Sequence, residues 1–188
     1  MSTAQSVDDQ LAESFKQLVK KRPIEKITIK EITSLAGVIR PTFYNHFQDK
    51  YELLEWIIRR DVVEPIYPMV GKSRSDEALA MIYEALLKDA EFYSRARKLE
   101  GQNSFESIVY KCMEDALIRA VDERDPKEEL EQLPMRDIIR YYARSMCFFI
   151  LNWIDEGMKR SPEEMVKLYR FVRDHSFEDV LKMLGGQK

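Results

Sequence analysis

The sequence predicts an all-α protein, with a small N-terminal three-helix unit of helix-turn-helix form followed by a larger helical domain. Three observations carry that prediction. Apolar residues recur at helical spacing along almost the whole chain. Only 6 Gly and 7 Pro occur among 188 residues, beside many Leu, Ile, Met, Glu, Lys and Arg. Long alternating Val/Thr runs, the mark of a sheet, are missing.

The first helix is expected over about 6–22, where Leu11, Phe15, Leu18 and Val19 make one apolar stripe. Lys20, Lys21 and Arg22 suit its negative end, and Pro23 stops it. The second helix, 28–36, has the best-marked start. Thr28 and Glu31 form a capping box, and Ile27 and Ile32 stand at the positions of a hydrophobic staple. Gly37 ends it, since glycine tolerates a left-handed conformation. A third short helix covers 40–46. Asp49 caps a fourth over 49–63, whose face Leu54, Ile57, Ile58 and Asp61 points into the rest of the protein. Pro65, Pro68, Gly71, Lys72, Ser73 and Arg74 mark a break. Beyond it helices are expected over 76–98 with a bend, 105–124 and 135–157. The stretch 122–134 reads as an exposed loop. The last helix starts at the capped Ser161-Pro162-Glu163-Glu164, breaks near His175 and ends at Gly185-Gly186.

Composition excludes several classes. With 45% hydrophobic and 34% charged residues the chain suits a soluble globular protein with a sizeable core. The longest apolar run, residues 146–154, is too short for a membrane span, and the polar start is no signal peptide, so a cytoplasmic location is expected. Cys112 and Cys147 read as two buried reduced thiols. With His46 and His175 the only histidines, no metal, cofactor or catalytic constellation is expected. Net charge is −3, yet residues 16–50 carry eight cationic against three acidic side chains, a local +5. A local patch of that kind binds phosphate whatever the sign of the total, although a solvated basic helix end gives the same count.

Two short helices joined by a glycine turn make a helix-turn-helix, and the spacing of Ile32, Ala36, Gly37, Val38 and Phe43 fits one. Spacing alone leaves open a helix pair of some unrelated bundle. The stretch ITIKEITSLAGVIRPTFYNHFQDKYELL goes further. It resembles the N-terminal domain of the tetracycline-repressor (TetR/AcrR) family of bacterial transcription regulators. The matching positions are Thr28, Ile32, Ala36, Gly37, Val38, Thr42, Phe43, Tyr44, His46, Phe47, Lys50, Leu53 and Leu54. The motif covers about a quarter of the chain, and the helical remainder fits that family's variable second domain. Residues 147–165, CFFILNWIDEGMKRSPEEM, faintly resemble a subgroup of regulators of dihydroxyacetone kinase genes, without implying a ligand.

The resemblance implies a DNA-binding unit over 1–50, with helix 49–63 linking it to a ligand-binding and dimerisation domain over 51–188. The expected partner is double-stranded operator DNA. Its contacts are Thr28, Arg40, Pro41, Thr42, Tyr44, Asn45, His46 and Lys50. By chemistry Arg40 suits guanine and Asn45 adenine, while Lys50 suits a phosphate and Thr28 offers a hydroxyl and helix-start amides to one. For Tyr44 and His46, packing between the third and fourth helices is the alternative. Ile39 stands where the family has a capping Ser, Pro41 where it has Gly or another small residue, and Thr33 where it has Ala. The resemblance carries no base specificity across these departures.

In the family the last two long helices pair with their twins, so a homodimer is expected through Phe149, Trp153, Met165, Leu168, Tyr169 and Val172. Such an isologous dimer matches a two-fold operator. The alternative is a monomer core. A small-molecule effector between the central helices is expected to meet Tyr83, Phe92, Tyr93, Phe105, Tyr110, Met113, Met146 and Phe149, residues that equally suit plain core. The leading expectation is thus a dimeric, effector-modulated DNA-binding regulator, most often a repressor in this family. A helical protein-interaction module or coregulator with reduced DNA binding is the alternative, and no nucleophile–base pair or phosphate loop supports an enzyme.

Overall fold

The computed structural model of the chain describes residues 6–70, 74–123 and 133–185. Among them every regular element is a helix or a helical turn. α1 (Val7–Val19) starts at Ser6, whose hydroxyl oxygen accepts the Asp9 N–H. Its stripe of Leu11, Phe15 and Val19 is buried. A three-ten turn at Ile24–Lys26, which apolar periodicity does not announce, precedes α2 (Ile29–Ala36). Both halves of the capping box at its start are formed, with Glu31 N–H on Thr28 Oγ1 at 3.3 Å and Thr28 N–H on Glu31 Oε2 at 2.9 Å. The hydrogen bonds from Thr28's hydroxyl and amide, then Arg22, pull the Glu31 carboxyl down to about 2. Gly37 takes φ +71°, and the Val38 N–H reaches back to the Thr33 carbonyl at 3.0 Å. An L residue with a Cβ meets steric strain there.

α3 (Arg40–His46) follows at once, and Asp49 Oδ1 then caps α4 (Lys50–Ile58) by accepting the Tyr51 and Glu52 N–H groups. α4 does not run to 63 as an α-helix. It passes into one π-helical turn, Arg59–Val63, then α5 (Glu64–Ile66) and a three-ten turn, Tyr67–Met69. The break expected from Pro65 therefore begins later. Pro65 and Pro68 each sit in the first turn of a new helical piece, where the missing N–H costs little. The rest of that break, Gly71 to Ser73, lies outside the described residues.

The helix expected over 76–98 is two helices, α6 (Ser75–Lys88) and α7 (Ala90–Ala96), parted at Asp89 with φ −131° and ψ 45°. The carboxylate of Asp89 is held by Lys16 and Lys20 of α1. α8 (Phe105–Asp122), α9 (Met135–Asp155), α10 (Pro162–Asp174) and α11 (Phe177–Gly185) complete the chain. The loop expected at 122–134 lies outside the described residues for 124–132, as does Gly186. α8 packs on α9 and on α4, and α6 packs on α10. One buried cluster runs from Leu11 and Phe15 through Leu54 and Ile57 to Tyr83, Phe105 and Trp153, so headpiece and larger domain share a continuous core. No described helix is long and apolar enough to cross a membrane.

Candidate functional site

α3 has only seven residues and no side chain capping its start, so packing must hold it. Phe43 is fully buried. Its ring lies 5.8 Å from Phe47, which in turn meets Trp56 at 5.9 Å. Burying one such ring contributes about 2–3 kcal/mol. The opposite side of α3 is left to solvent. Arg40, Pro41, Tyr44 and Asn45 are exposed and Thr42 is half-buried. Arg40 Nη2 donates to the Tyr44 hydroxyl at 3.0 Å, and its guanidinium lies 5.5 Å from the centre of that ring. The arginine is therefore held along the helix surface before any partner arrives.

Three of the expected contact residues are engaged inside the chain. Thr28 donates both its amide and its hydroxyl to Glu31 Oε2. His46 Nδ1 lies 2.7 Å from Asp8 Oδ1, tying the end of α3 to α1. Lys50 donates to three carbonyls, Ile24 at 2.8 Å, Glu25 at 3.0 Å and Ile27 at 2.9 Å. Its ammonium thus closes the three-ten turn rather than standing free as a point charge. Burial lowers its pKa, against the raising influence of Glu25 and Asp49. Lys50→Met is expected to destabilise the headpiece by about 1–2 kcal/mol in a thermal melt, because three carbonyls lose their donor. The same variant is expected to leave the salt dependence of DNA affinity unchanged; a slope shallower by about one would mark a phosphate contact instead.

The basic patch shrinks in the same way. Of the eight cations between residues 16 and 50, Lys16 and Lys20 hold Asp89, Arg22 holds Glu31 at 2.6 Å, and Lys50 holds carbonyls. Lys21, Lys26, Lys30 and Arg40 are exposed, and no described carboxylate pairs with them. Sequence does not single out Lys21, Lys26 and Lys30 as DNA contacts, because a charge count does not say which charges are already paired.

The eight residues expected around an effector do not converge. Tyr93, Phe105 and Met113 line a small apolar cavity of about 20 Å³ together with Ile58, Val62 and Val63. That is roughly the space of one water. Tyr83 instead stacks edge-on against Trp153 at 4.9 Å, and Phe92 lies beneath the Lys16 ammonium at 5.3 Å. Tyr110 faces a surface groove, with the Arg144 guanidinium 4.5 Å from its ring centre. Met146 and Phe149 are half-buried on another side, Phe149 against Tyr169 at 5.8 Å. Aromatic and methionine side chains fill every inter-helix seam of such a core, so residue type alone does not pick out one pocket. Cys112 and Cys147 are buried and free, and burial pushes both thiols up to about 12.

Residues 16–57 match the model of bacterial regulatory proteins of the tetR family, and residues 74–174 match that of a transcriptional regulator C-terminal region of the same family. The chain belongs to the tetR family of bacterial transcription regulators. The HTH-type dhaKLM operon transcriptional activator DhaS of Lactococcus lactis is 27% identical over 149 residues, covering 78% of this chain and 79% of its own. The HTH-type transcriptional repressor KstR2 of Mycolicibacterium smegmatis is 23% identical over 178 residues, covering 92% and 77%. In fold, the solved structure of a dihydroxyacetone kinase operon activator DhaS matches with a TM-score of 0.59 at 23% identity, over 88% of this chain and 92% of that one.

In this tetR-family regulator the residues expected at a dimer interface need correction. Trp153 and Met165 are 1% and 2% exposed and face the chain's own core, so they have no surface to offer a partner. Phe149, Leu168 and Tyr169 are half-buried against that core, and only Val172 is exposed. Hydrophobicity picked the inner faces of α9 and α10. The outward apolar residues are Tyr141, Tyr142 and Phe148 on α9, Phe171 and Val172 on α10, and Phe177, Leu181, Met183 and Leu184 on α11.

Proposed function

We propose that this tetR-family regulator is a homodimeric repressor. Each subunit lays α3 in the major groove of one half of a two-fold operator, and a small-molecule effector in the second domain changes the affinity. Residues 1–50 form the DNA-reading unit and 51–188 the ligand-binding and dimerisation unit, joined through α4. The observation that carries this reading is the outward side of α3. There Arg40, Tyr44 and Asn45 stand exposed together on a helix that Phe43 anchors from behind. Arg40 suits the acceptors of guanine and Asn45 the donor–acceptor pair of adenine. Thr42 and Pro41 flank them, and Lys21, Lys26 and Lys30 supply phosphate contacts. His46 and Thr28 fix the helices that present these groups. Repression follows the usual action of the family; of the two relatives named above, one is an activator and one a repressor.

The small apolar cavity supports a place for the effector. Ile58, Val62 and Val63, around the π-helical turn, line it, while Arg60 and Asp61 of the same turn hold α1. An apolar effector larger than one water must displace that turn, and with it the headpiece.

A salt titration of binding to duplexes from the chain's own upstream DNA tests the reading. Log affinity is expected to fall steeply with log salt, with a slope reaching roughly −5 if Lys21, Lys26 and Lys30 on each of two headpieces meet phosphate. Absence of binding at low salt with no effector present supports the protein-interaction alternative, which the internal engagement of Lys50 and His46 favours. Repeating the titration with a bound effector tests the coupling, and equal affinities would sink it.

A further inference from the structure

The tip of α3 carries an apolar residue, Ile39, that is not among the expected contacts, beside Pro41, which is. Ile39 occupies the capping position in an extended conformation, φ −86° and ψ 154°, and makes no capping hydrogen bond. Its side chain is 69% exposed. Pro41, also exposed, stands two residues on in the first turn and has no N–H to offer. Leu35, on the preceding helix, is exposed as well. An isoleucine here gives up the helix cap that Ser, Thr, Asp or Asn supplies, and gains no burial within the chain in return.

We infer that Ile39, with Pro41 beside it, reads the methyl group of thymine in the major groove. This rests on the operator reading above. The base edges in that groove present donors, acceptors and one apolar group, the C5 methyl of thymine. The surroundings favour DNA over an apolar protein partner. Arg40 lies between the two residues in sequence and is exposed, and no described carboxylate pairs with it. An exposed arginine between two exposed apolar residues fits a surface of phosphates and base edges with methyl groups among them. Ile39 thus becomes a specificity residue, and each half-site acquires a required thymine next to the base pair that Arg40 meets.

The test uses the full-length protein and a duplex that it enriches from a random-sequence pool. Each thymine of that duplex is then replaced singly by deoxyuridine, which removes the methyl and leaves base pairing intact. One or two positions per half-site are expected to lose affinity, by about fourfold for a methyl fully desolvated in the complex. In Ile39→Ala the thymine and uracil duplexes at those positions are expected to bind equally, while a thermal melt shows the headpiece still folded. Uracil duplexes that all bind as tightly as thymine duplexes overturn the inference, and so does a uracil penalty that persists in Ile39→Ala. Failure to enrich any duplex overturns the operator reading itself, and this inference with it.

Discussion

Asp61→Ala is expected to lower the unfolding free energy by about 2–3 kcal/mol, whereas Lys16→Met stays within about 1 kcal/mol of the parent. Lys16 is a lysine on the buried side of α1, only 6% exposed. Its ammonium lies 2.5 Å from Asp61 Oδ2 and 3.3 Å from Asp89 Oδ2. Asp61 also accepts from Arg60 Nε at 2.6 Å, and Arg60 reaches on to Asp9 and Glu13. Asp89 is shared with Lys20 at 2.5 Å. Removing Asp61 leaves a buried ammonium with half of one carboxylate, and a buried charge stripped of its partner is the costly case. Removing the ammonium while keeping its stem orphans nothing. Asp61 retains Arg60, Asp89 retains Lys20, and methionine still covers Phe92. Urea melts of the two variants check the contrast; equal losses would mean that the attraction of the pair, not desolvation, dominates.

The pH dependence follows from the same geometry. Burial pushes the Asp61 carboxyl up, but hydrogen bonds from Arg60 and Lys16 outweigh it and hold the group below its ordinary 3.8. A depressed carboxylate stabilises fully above the unfolded value and loses that contribution as pH falls through the folded one. Acid titration of the parent should therefore show a loss of stability below about pH 4 that is reduced in Asp61→Ala.

What could be read in advance was local. Thr28 with Glu31, Gly37, and Asp49 with Glu52 announce helix ends because each device closes within a few residues. Phe43 and Phe47 follow from spacing for the same reason. The three carbonyls that Lys50 meets lie 23 to 26 positions away, and Asp8 lies farther still from His46, so no local pattern announces either engagement. Side-chain type shows that a cation is present; only the fold shows whether it is free. Asp89 breaks an otherwise continuous helical pattern where its carboxylate serves α1, and no periodicity registers that. The π-helical turn has no side-chain signature at all. On α9 and α10 the most apolar residues were the wrong ones for a partner, because burial in the chain's own core had already selected them.

A charge on the apolar face of α9 to α11 is expected to produce the largest functional effect. Phe177, Val180, Leu181 and Leu184 fall at i, i+3, i+4 and i+7 on α11, yet no residue of that helix is buried. Phe177 and Leu184 are each 75% exposed and Tyr141 on α9 is 69% exposed. An amphipathic helix whose apolar residues the described residues leave mostly exposed gains further stability by covering them with another molecule. A second copy is the economical candidate, since a two-fold interface lets the same residues cover one another. The double variant Phe171→Asp with Leu184→Asp places a carboxylate on α10 and on α11 without touching the buried core. It is expected to run as a monomer in light scattering. Its affinity for a full two-fold operator should fall by roughly 10²–10³, because the second headpiece is no longer delivered at high local concentration. Its affinity for a single half-site duplex should match the parent's, since α3 is untouched. A variant that remains dimeric removes this face from the interface, and a half-site affinity that also collapses would locate the damage in the fold rather than in assembly.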